Sequence, residues 1–364
     1  EKFTGSQKDI FQIAEDAAEA IAEALRAKAG GQRPEALTDP VAIDLYMRAR
    51  HSSQSRWYKA IDESIDLFLR ALERAPTDPR ILTGMATSLA RQTFFQPTAS
   101  ATLLTEATEH AMLAVDRAPD WPDPHFALAI VAYNRGDIIA TERYCRDALA
   151  RHPEHLESLD LLGRVLAEMG PLEEAQRHLE HALSINEGLL RATADLQRVY
   201  ALQGKWDDYD ALIAKRAEIP EHLLLTVQAT DYRLAVWRGD LGSFDLDDDD
   251  RLPNDLLNKM LPIANGIHDY LERGEEVPVA LIEGLIIMGK QSTPGSQQQL
   301  LGLQIGAEFA SYARHDELLY DALTTVIDMG LRDLMWLEHA PIFNDYREQP
   351  RFERLRQRVA LKYQ

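Results

Sequence analysis

The chain has 364 residues, a formal charge of −20, and 45% apolar and 7% aromatic residues. A surface this acidic disfavours general electrostatic binding to DNA, RNA or an anionic membrane. Cys145 is the single cysteine, which rules out an intramolecular disulfide, and no stretch approaches the ~18 consecutive apolar residues of a membrane helix.

Residues 7–27 read as one amphipathic helix, with Ile10, Ile13, Ala14, Ala17, Ile21, Ala24 and Leu25 at helical spacing. Gly30, Gly31 and Pro34 end it, so residues 1–39 are expected to be a helix and linker. The chain begins at Glu1 without a basic-then-apolar leader, which predicts a fragment or processed product of a longer protein.

From residue 40 to 218 one pattern recurs. Gly136, Gly170 and Gly204 stand 34 residues apart, as do Pro119 and Pro153. Before Gly170, Leu159, Leu162, Gly163 and Leu166 share a helix face; after it, Ala175, Leu179 and Ala182 share another. One period earlier stand Leu128, Ala129, Ala132, Gly136, Thr141, Cys145 and Ala148. Gly163 and Ala129 let the two helices of a hairpin approach closely, and each proline ends a hairpin. Cys145 is expected to face the core as a small hydrophobe. Weaker copies run upstream through Tyr46, Ala49, Ser64, Phe68, Ala71 and Pro76, and through Met85, Ala86, Ala107, Ala111 and Ala114. Between these last two helices, about eight extra residues around Phe94 to Ser100 lengthen the turn. Downstream, Leu196, Tyr200, Gly204, Tyr209 and Ile213 continue the pattern to Pro220.

These residues resemble the tetratricopeptide repeat (TPR) family, whose period is ~34 residues. The resemblance implies an all-α fold: a right-handed α-solenoid of helical hairpins, with residues 219–364 as degenerate helical repeats and capping helices. Two terminal segments also look like parts of bacterial multidomain regulators. One runs from Asp9, Ile10 and Phe11 to Glu15, Ala18, Ile21, Ala22 and Leu25; the other holds Trp336, Pro341, Phe343, Arg347, Pro350, Arg351, Phe352 and Leu355. In those proteins a TolB-like domain precedes the repeats, and an adenylate cyclase, winged-helix or kinase domain lies further upstream.

Beyond Pro220, helices are expected over residues 223–237, 256–271 with a bend at Pro262, 277–288, 297–313 and 317–329, with Arg351 to Lys362 closing the end. Asp245, Asp247, Asp248, Asp249 and Asp250 form an acidic loop. Asp250 and Leu256 stand where a calcium-binding EF-hand loop needs Gly and Glu, so the loop reads as a solvated run, with adventitious calcium as the alternative. Gly284, Gly289 and Lys290 have phosphate-loop spacing, but Gln291 replaces the Ser or Thr and the segment reads as helix. Glu174, His178 and His181 share a helix face without completing a metal-ligand set. His152 and His155 read as turn residues. No catalytic constellation, cofactor motif or metal site is evident, and the chain is expected not to be an enzyme.

The resemblance also implies a groove lined by the first helix of each repeat. Its exposed positions are the second, fifth, ninth, twelfth and thirteenth. They fall on Asp123, Phe126, Ile130, Tyr133 and Asn134; on Glu157, Asp160, Arg164, Ala167 and Glu168; and on Arg191, Ala194, Arg198, Ala201 and Leu202. A partner peptide would set apolar side chains on Phe126, Ile130 and Tyr133, near Asn134, and an acidic group on Arg164, Arg191 and Arg198. Alternatively, Asp160 and Asp195 pair with Arg164 and Arg198 within their own helices. The family's clamp for C-terminal carboxylates needs five polar residues, of which only Arg191 is a basic match among Phe126, Ile130, Leu161, Arg191 and Asp195.

The expectation is a non-catalytic protein- or peptide-binding scaffold, the interaction or sensory part of a bacterial signalling or transcription regulator. The alternatives are a small-ligand sensor with a pocket at the C-terminal helices, and an enzyme with an unrecognised site. No cofactor, nucleic acid or membrane insertion is expected. The expected compartment is the cytoplasm, or the periplasm if a membrane segment lies upstream.

Overall fold

The computed structural model describes residues 37–53, 58–215, 221–239, 255–292 and 296–363. The helix expected over 7–27 and the acidic loop at 245–250 lie outside them. Among the described residues the fold is an all-α solenoid without strands.

Ten helices make five hairpins in chain order: α1 (Pro40–Ser53) with α2 (Tyr58–Arg74), α3 (Pro79–Gln92) with α4 (Ser100–Arg117), α5 (Pro122–Arg135) with α6 (Ile138–Arg151), α7 (Leu156–Met169) with α8 (Leu172–Ile185), and α9 (Leu190–Gln203) with α10 (Trp206–Ala214). Seven more follow: α11 (Glu221–Arg238), α12 (Asp255–Glu272), α13 (Val279–Gln291), α14 (Gln297–Tyr312), α15 (Asp316–Asp328), α16 (Leu334–His339) and α17 (Pro350–Ala360). Helix α12 runs through Pro262. The extra residues near Phe94 form a short 3-10 turn, Pro97–Ala99, ahead of α4.

Local chemistry sets the boundaries. Pro79 starts α3, where its missing N–H costs nothing, and Asp78 caps the helix by accepting from the amides of Arg80 and Ile81. Gly136 and Gly204 end α5 and α9 in the left-handed conformation, with φ of 85° and 70°. Gly170 differs: it is extended at φ −142°, and Pro171 then opens α8. The repeated glycine therefore marks one turn position but two turn conformations.

First helices are buried nearly all round and second helices only on one stripe. In α7 every residue from Leu161 to Ala167 is buried, whereas α8 buries only Leu172, Ala175, Leu179 and Ala182. The first helices thus form the inner wall. Gly163 is needed there, because a Cβ on it would stand 2.5 Å from Leu179 Cγ. Cys145 is fully buried, and burial pushes its thiol well up, so it behaves as a core hydrophobe.

The main apolar cluster is continuous from Phe126 to Val359, with a smaller one from Leu45 to Val131. Near the C-terminal end Trp336, Phe343 and Phe352 form an aromatic ladder with ring centroids 4.9 and 5.5 Å apart. Arg347 donates to the carbonyls of Leu337 and Ala340 and so closes the end of α16. Helix α17 buries Phe352, Leu355 and Val359 and leaves a charged outer face.

Gly289, where α13 meets α14, makes a close contact with backbone. A Cβ on Gly289 would lie 2.9 Å from backbone atoms of Gly302 and Leu303. Backbone cannot yield as a side-chain tip can. Gly289→Ala is expected to lose on the order of 1–2 kcal/mol despite the helix-propensity gain of about 1 kcal/mol. Gly266→Ala should gain up to about 1 kcal/mol, because its nearest neighbour, Leu281 Cδ1, is 3.9 Å away. Urea melts of the two variants should shift in opposite directions.

Candidate binding faces on the repeats

The inner wall of α5, α7 and α9 is not open along its length. Helix α16 packs against both α7 and α9. Arg332 and Asp333, just ahead of α16, carry the polar contacts. Asp333 Oδ2 accepts from Arg198 Nη2 at 2.5 Å and from Gln304 Nε2 at 3.4 Å, while Oδ1 caps α16 through the Trp336 amide at 3.0 Å. Arg332 Nη1 donates to the Tyr133 carbonyl at 3.0 Å. The Tyr133 ring has two guanidiniums over it, Arg332 at 5.4 Å and Arg164 at 5.9 Å. Its hydroxyl donates to Glu168 Oε1 at 2.9 Å. Burial, followed by the charge of Glu168, pushes the Tyr133 hydroxyl far up, and burial also holds the Glu168 carboxyl above its ordinary range.

The groove residues expected from the sequence fall into two groups. Arg164 is buried rather than exposed, and it pairs with Asp195 at 2.8 Å and Asp160 at 3.3 Å. Burial opposes its charge, but those two carboxylates outweigh burial and hold the guanidinium more firmly protonated. Arg198 pairs with Asp333 rather than with Asp195 on its own helix. Tyr133 and Arg198 thus hold the chain's own C-terminal segment. Ala167, Ala194, Ala201 and Leu202, expected at exposed groove positions, are buried too.

Phe126, Ile130, Asn134 and Arg191 are not in contact with that segment through any hydrogen bond or ion pair. Phe126 is buried against the His155 ring at 5.7 Å, and Ile130 and Asn134 are half-buried. Arg191 is exposed and makes no hydrogen bond or ion pair with the described residues. The like charge of Arg164 and desolvation in the groove lower its affinity for a proton. An open cleft of about 120 Å³ lies toward the N-terminal hairpins. Tyr46, Phe68, Trp121 and Phe126 supply its aromatic lining, and Arg50, Arg91, Asp123 and Glu157 are among its charged lining residues. Arg91 donates to the Ser53 carbonyl at 2.8 Å, and desolvation, then Arg191, push its guanidinium below the usual range.

The 34-residue step is present in the helices themselves. Helices α5, α7 and α9 begin at Pro122, Leu156 and Leu190, and α6, α8 and α10 at Ile138, Leu172 and Trp206. The fold is a solenoid of helical hairpins that keep the ~34-residue step of tetratricopeptide repeats. No family model matches it, and no curated protein matches it. Solved structures similar to it include a thermophilic TPR protein of Thermus thermophilus, at 21% identity over 52% of this chain and 97% of the other, TM-score 0.41. Yeast Tom70 is similar at 12% identity over 100% of this chain and 76% of its own, TM-score 0.40. A tetratricopeptide repeat protein of Parabacteroides merdae is similar at 12% identity over 88% and 99%, TM-score 0.38. The repeat assignment rests on the helix register of this chain.

Outside the groove, helix packing and local ion pairs account for the remaining motifs. Gly284, Gly289 and Lys290 lie on α13, where Gly289 serves helix packing and Lys290 pairs with Asp321 at 2.7 Å. His178 faces Glu174 at 3.5 Å, and no group of three metal-ligating side chains occurs among the described residues. His155 is more than a turn residue: it is buried, and its Nδ1 lies 2.8 Å from Ser158 Oγ at the start of α7. Among the described residues no helix is long and apolar enough to cross a membrane.

Proposed function

We propose that the chain is a non-catalytic scaffold that binds a protein or peptide segment at the open, N-terminal part of its inner wall. The aromatic cleft between Tyr46, Phe68, Trp121 and Phe126, flanked by Arg50 and Arg91, carries this reading. Aromatic and arginine side chains are the usual energetic anchors of interfaces. The cleft takes one apolar side chain of the segment, and an acidic neighbour meets Arg91 and Arg191. Of the residues first assigned to the groove, Phe126, Ile130, Asn134 and Arg191 serve the partner, while Tyr133, Arg164 and Arg198 set where the open groove stops. The resemblance of both terminal segments to bacterial regulators supports a role as the interaction or sensory part of such a protein. The division at residues 39 and 218 belongs to the same proposal.

A second reading, a small-ligand sensor, is favoured by a separate cavity between the repeats and the C-terminal helices.

Peptides selected on the immobilised chain from a random display library test the scaffold reading. Arg91→Ala should weaken an acidic selected peptide by about 1.5–3 kcal/mol, the worth of a charge-assisted bond. Thr87→Trp, which fills the cleft, should abolish binding. Selected peptides that bind both variants as tightly as the parent would move the site off this face.

A further inference from the structure

We infer that the segment bound at the open cleft has a mixed-charge motif: one apolar side chain with an acidic residue on one flank and a basic residue on the other. This rests on the scaffold reading and adds a basic residue to the partner.

Four charged side chains line the aromatic cleft without pairing with one another. Two are cations. Arg50 stands in the last turn of α1 and Arg91 in the last turn of α3. Both are exposed, and neither forms an ion pair with a described residue. Arg50 donates only to the Tyr46 hydroxyl, at 3.4 Å, and Arg91 only to the Ser53 carbonyl. Arg80, also in the lining, is paired with Asp78 at 2.8 Å. The other two are anions, Asp123 and Glu157, in the first turns of α5 and α7. Neither carboxylate accepts a hydrogen bond from a described residue. Both face His155, whose Nε2 lies 3.9 Å from Asp123 Oδ2 and 3.7 Å from Glu157 Oε2, too far for a hydrogen bond.

Each sign suits its place at a helix end. Helix ends do not require that all four side chains meet at one cleft walled by Trp121, Phe126 and two further aromatic rings. The two signs balance there, so the cleft calls for neither an all-acidic nor an all-basic segment. It offers two uncommitted guanidiniums and two uncommitted carboxylates around a seat for one apolar side chain. A segment acidic on both flanks would set like charge against Asp123 and Glu157, and one basic on both flanks would set it against Arg50 and Arg91. Only a segment of both signs meets both pairs. Exposed ion pairs add little affinity one at a time, so the flanks act chiefly by excluding wrong segments.

A display library selected on the full chain tests this, with Leu, Phe or Met at the centre and flanks drawn from Asp, Glu, Lys, Arg and Ser. Clones whose binding is lost in Thr87→Trp report on the cleft, and these should carry one acid and one base about the central residue. Synthetic versions with the acid changed to Lys, or the base changed to Glu, should bind about tenfold more weakly. Glu157→Lys should shift the enriched clones toward acids on both flanks. Its circular dichroism should match the parent's, because Glu157 is exposed. Cleft-dependent clones that are acidic on both flanks, or indifferent to flank charge, overturn the mixed-charge motif and leave the scaffold reading standing. An unchanged preference in Glu157→Lys does the same. If no selected clone depends on the cleft, the scaffold reading at this site falls and the inference falls with it.

Discussion

Glu308→Ala should destabilise the protein by about 3–5 kcal/mol, the cost of stranding one partner of a buried ion pair. Glu308 is completely buried in α14, where it is the helix's only acidic residue. Its carboxylate accepts from Arg233 Nε at 3.0 Å, from Arg233 Nη2 at 2.5 Å and from Trp336 Nε1 at 2.8 Å. One side chain thereby ties α11, α14 and α16 together. Alanine strands a guanidinium and an indole donor and leaves a cavity beside the ring of Trp336. Glu308→Gln separates these effects. Its amide oxygen still accepts from Trp336, but it no longer neutralises Arg233, so it should fall between parent and alanine. Glu283→Ala, at an exposed position on α13, is the control and should stay within about 0.5 kcal/mol. Urea melts followed by circular dichroism read all three. A midpoint for Glu308→Ala that matches the control would remove Glu308 as the hub of the C-terminal layer.

The repeats were legible because their signal is periodic and local. Gly163, Ala175 and Leu179 specify a close helix pair within a span of 17 residues, and the same register recurs one period away. The C-terminal layer was legible only as helices. Its placement depends on pairs such as Arg198 with Asp333, 135 residues apart, and Arg332 with Tyr133, 199 apart. No period links such residues. The positional rule for groove residues assumed that the inner wall faces solvent. It therefore treated Arg164 and Arg198 as available, and the only carboxylates weighed against them were on their own helices. Two signals were present. Glu308 is the lone acid of a helix rich in apolar residues, and a buried acid there asks for a cation. Asp333 precedes the apolar run Leu334 to Leu337 as a helix cap, which hides that its other oxygen is committed to Arg198. The cavity had no sequence signature, since Arg164, Arg198, Arg233 and Trp237 converge only after the chain returns across α7 and α9.

Arg198→Ala and Arg191→Ala should part company, although both side chains stand on the same helix of the inner wall. Arg198 is largely withdrawn from solvent, as is Asp333, with side-chain exposures of 13% and 15%. Burial opposes the Arg198 charge, but Asp333 and Glu168 outweigh it and hold the guanidinium protonated. Removing it leaves Asp333 with only the Trp336 amide and a long contact to Gln304. The expected loss is about 3–5 kcal/mol, as for other broken buried pairs. Amide exchange should quicken first at residues 334–339, because the ion pair fixes α16 on the repeats. Arg191 has no such partner and is crowded by the like charge of Arg164. Arg191→Ala should therefore leave stability within about 0.5 kcal/mol of the parent, while weakening any acidic peptide held at the open cleft. The two variants separate two roles on the inner wall: Arg198 holds the chain's own segment, and Arg191 is the one that the proposed function assigns to a partner. Equal losses of stability in both would mean that Arg191 is also structural, and the partner's acidic group would then have to be sought at Arg50 and Arg91 alone.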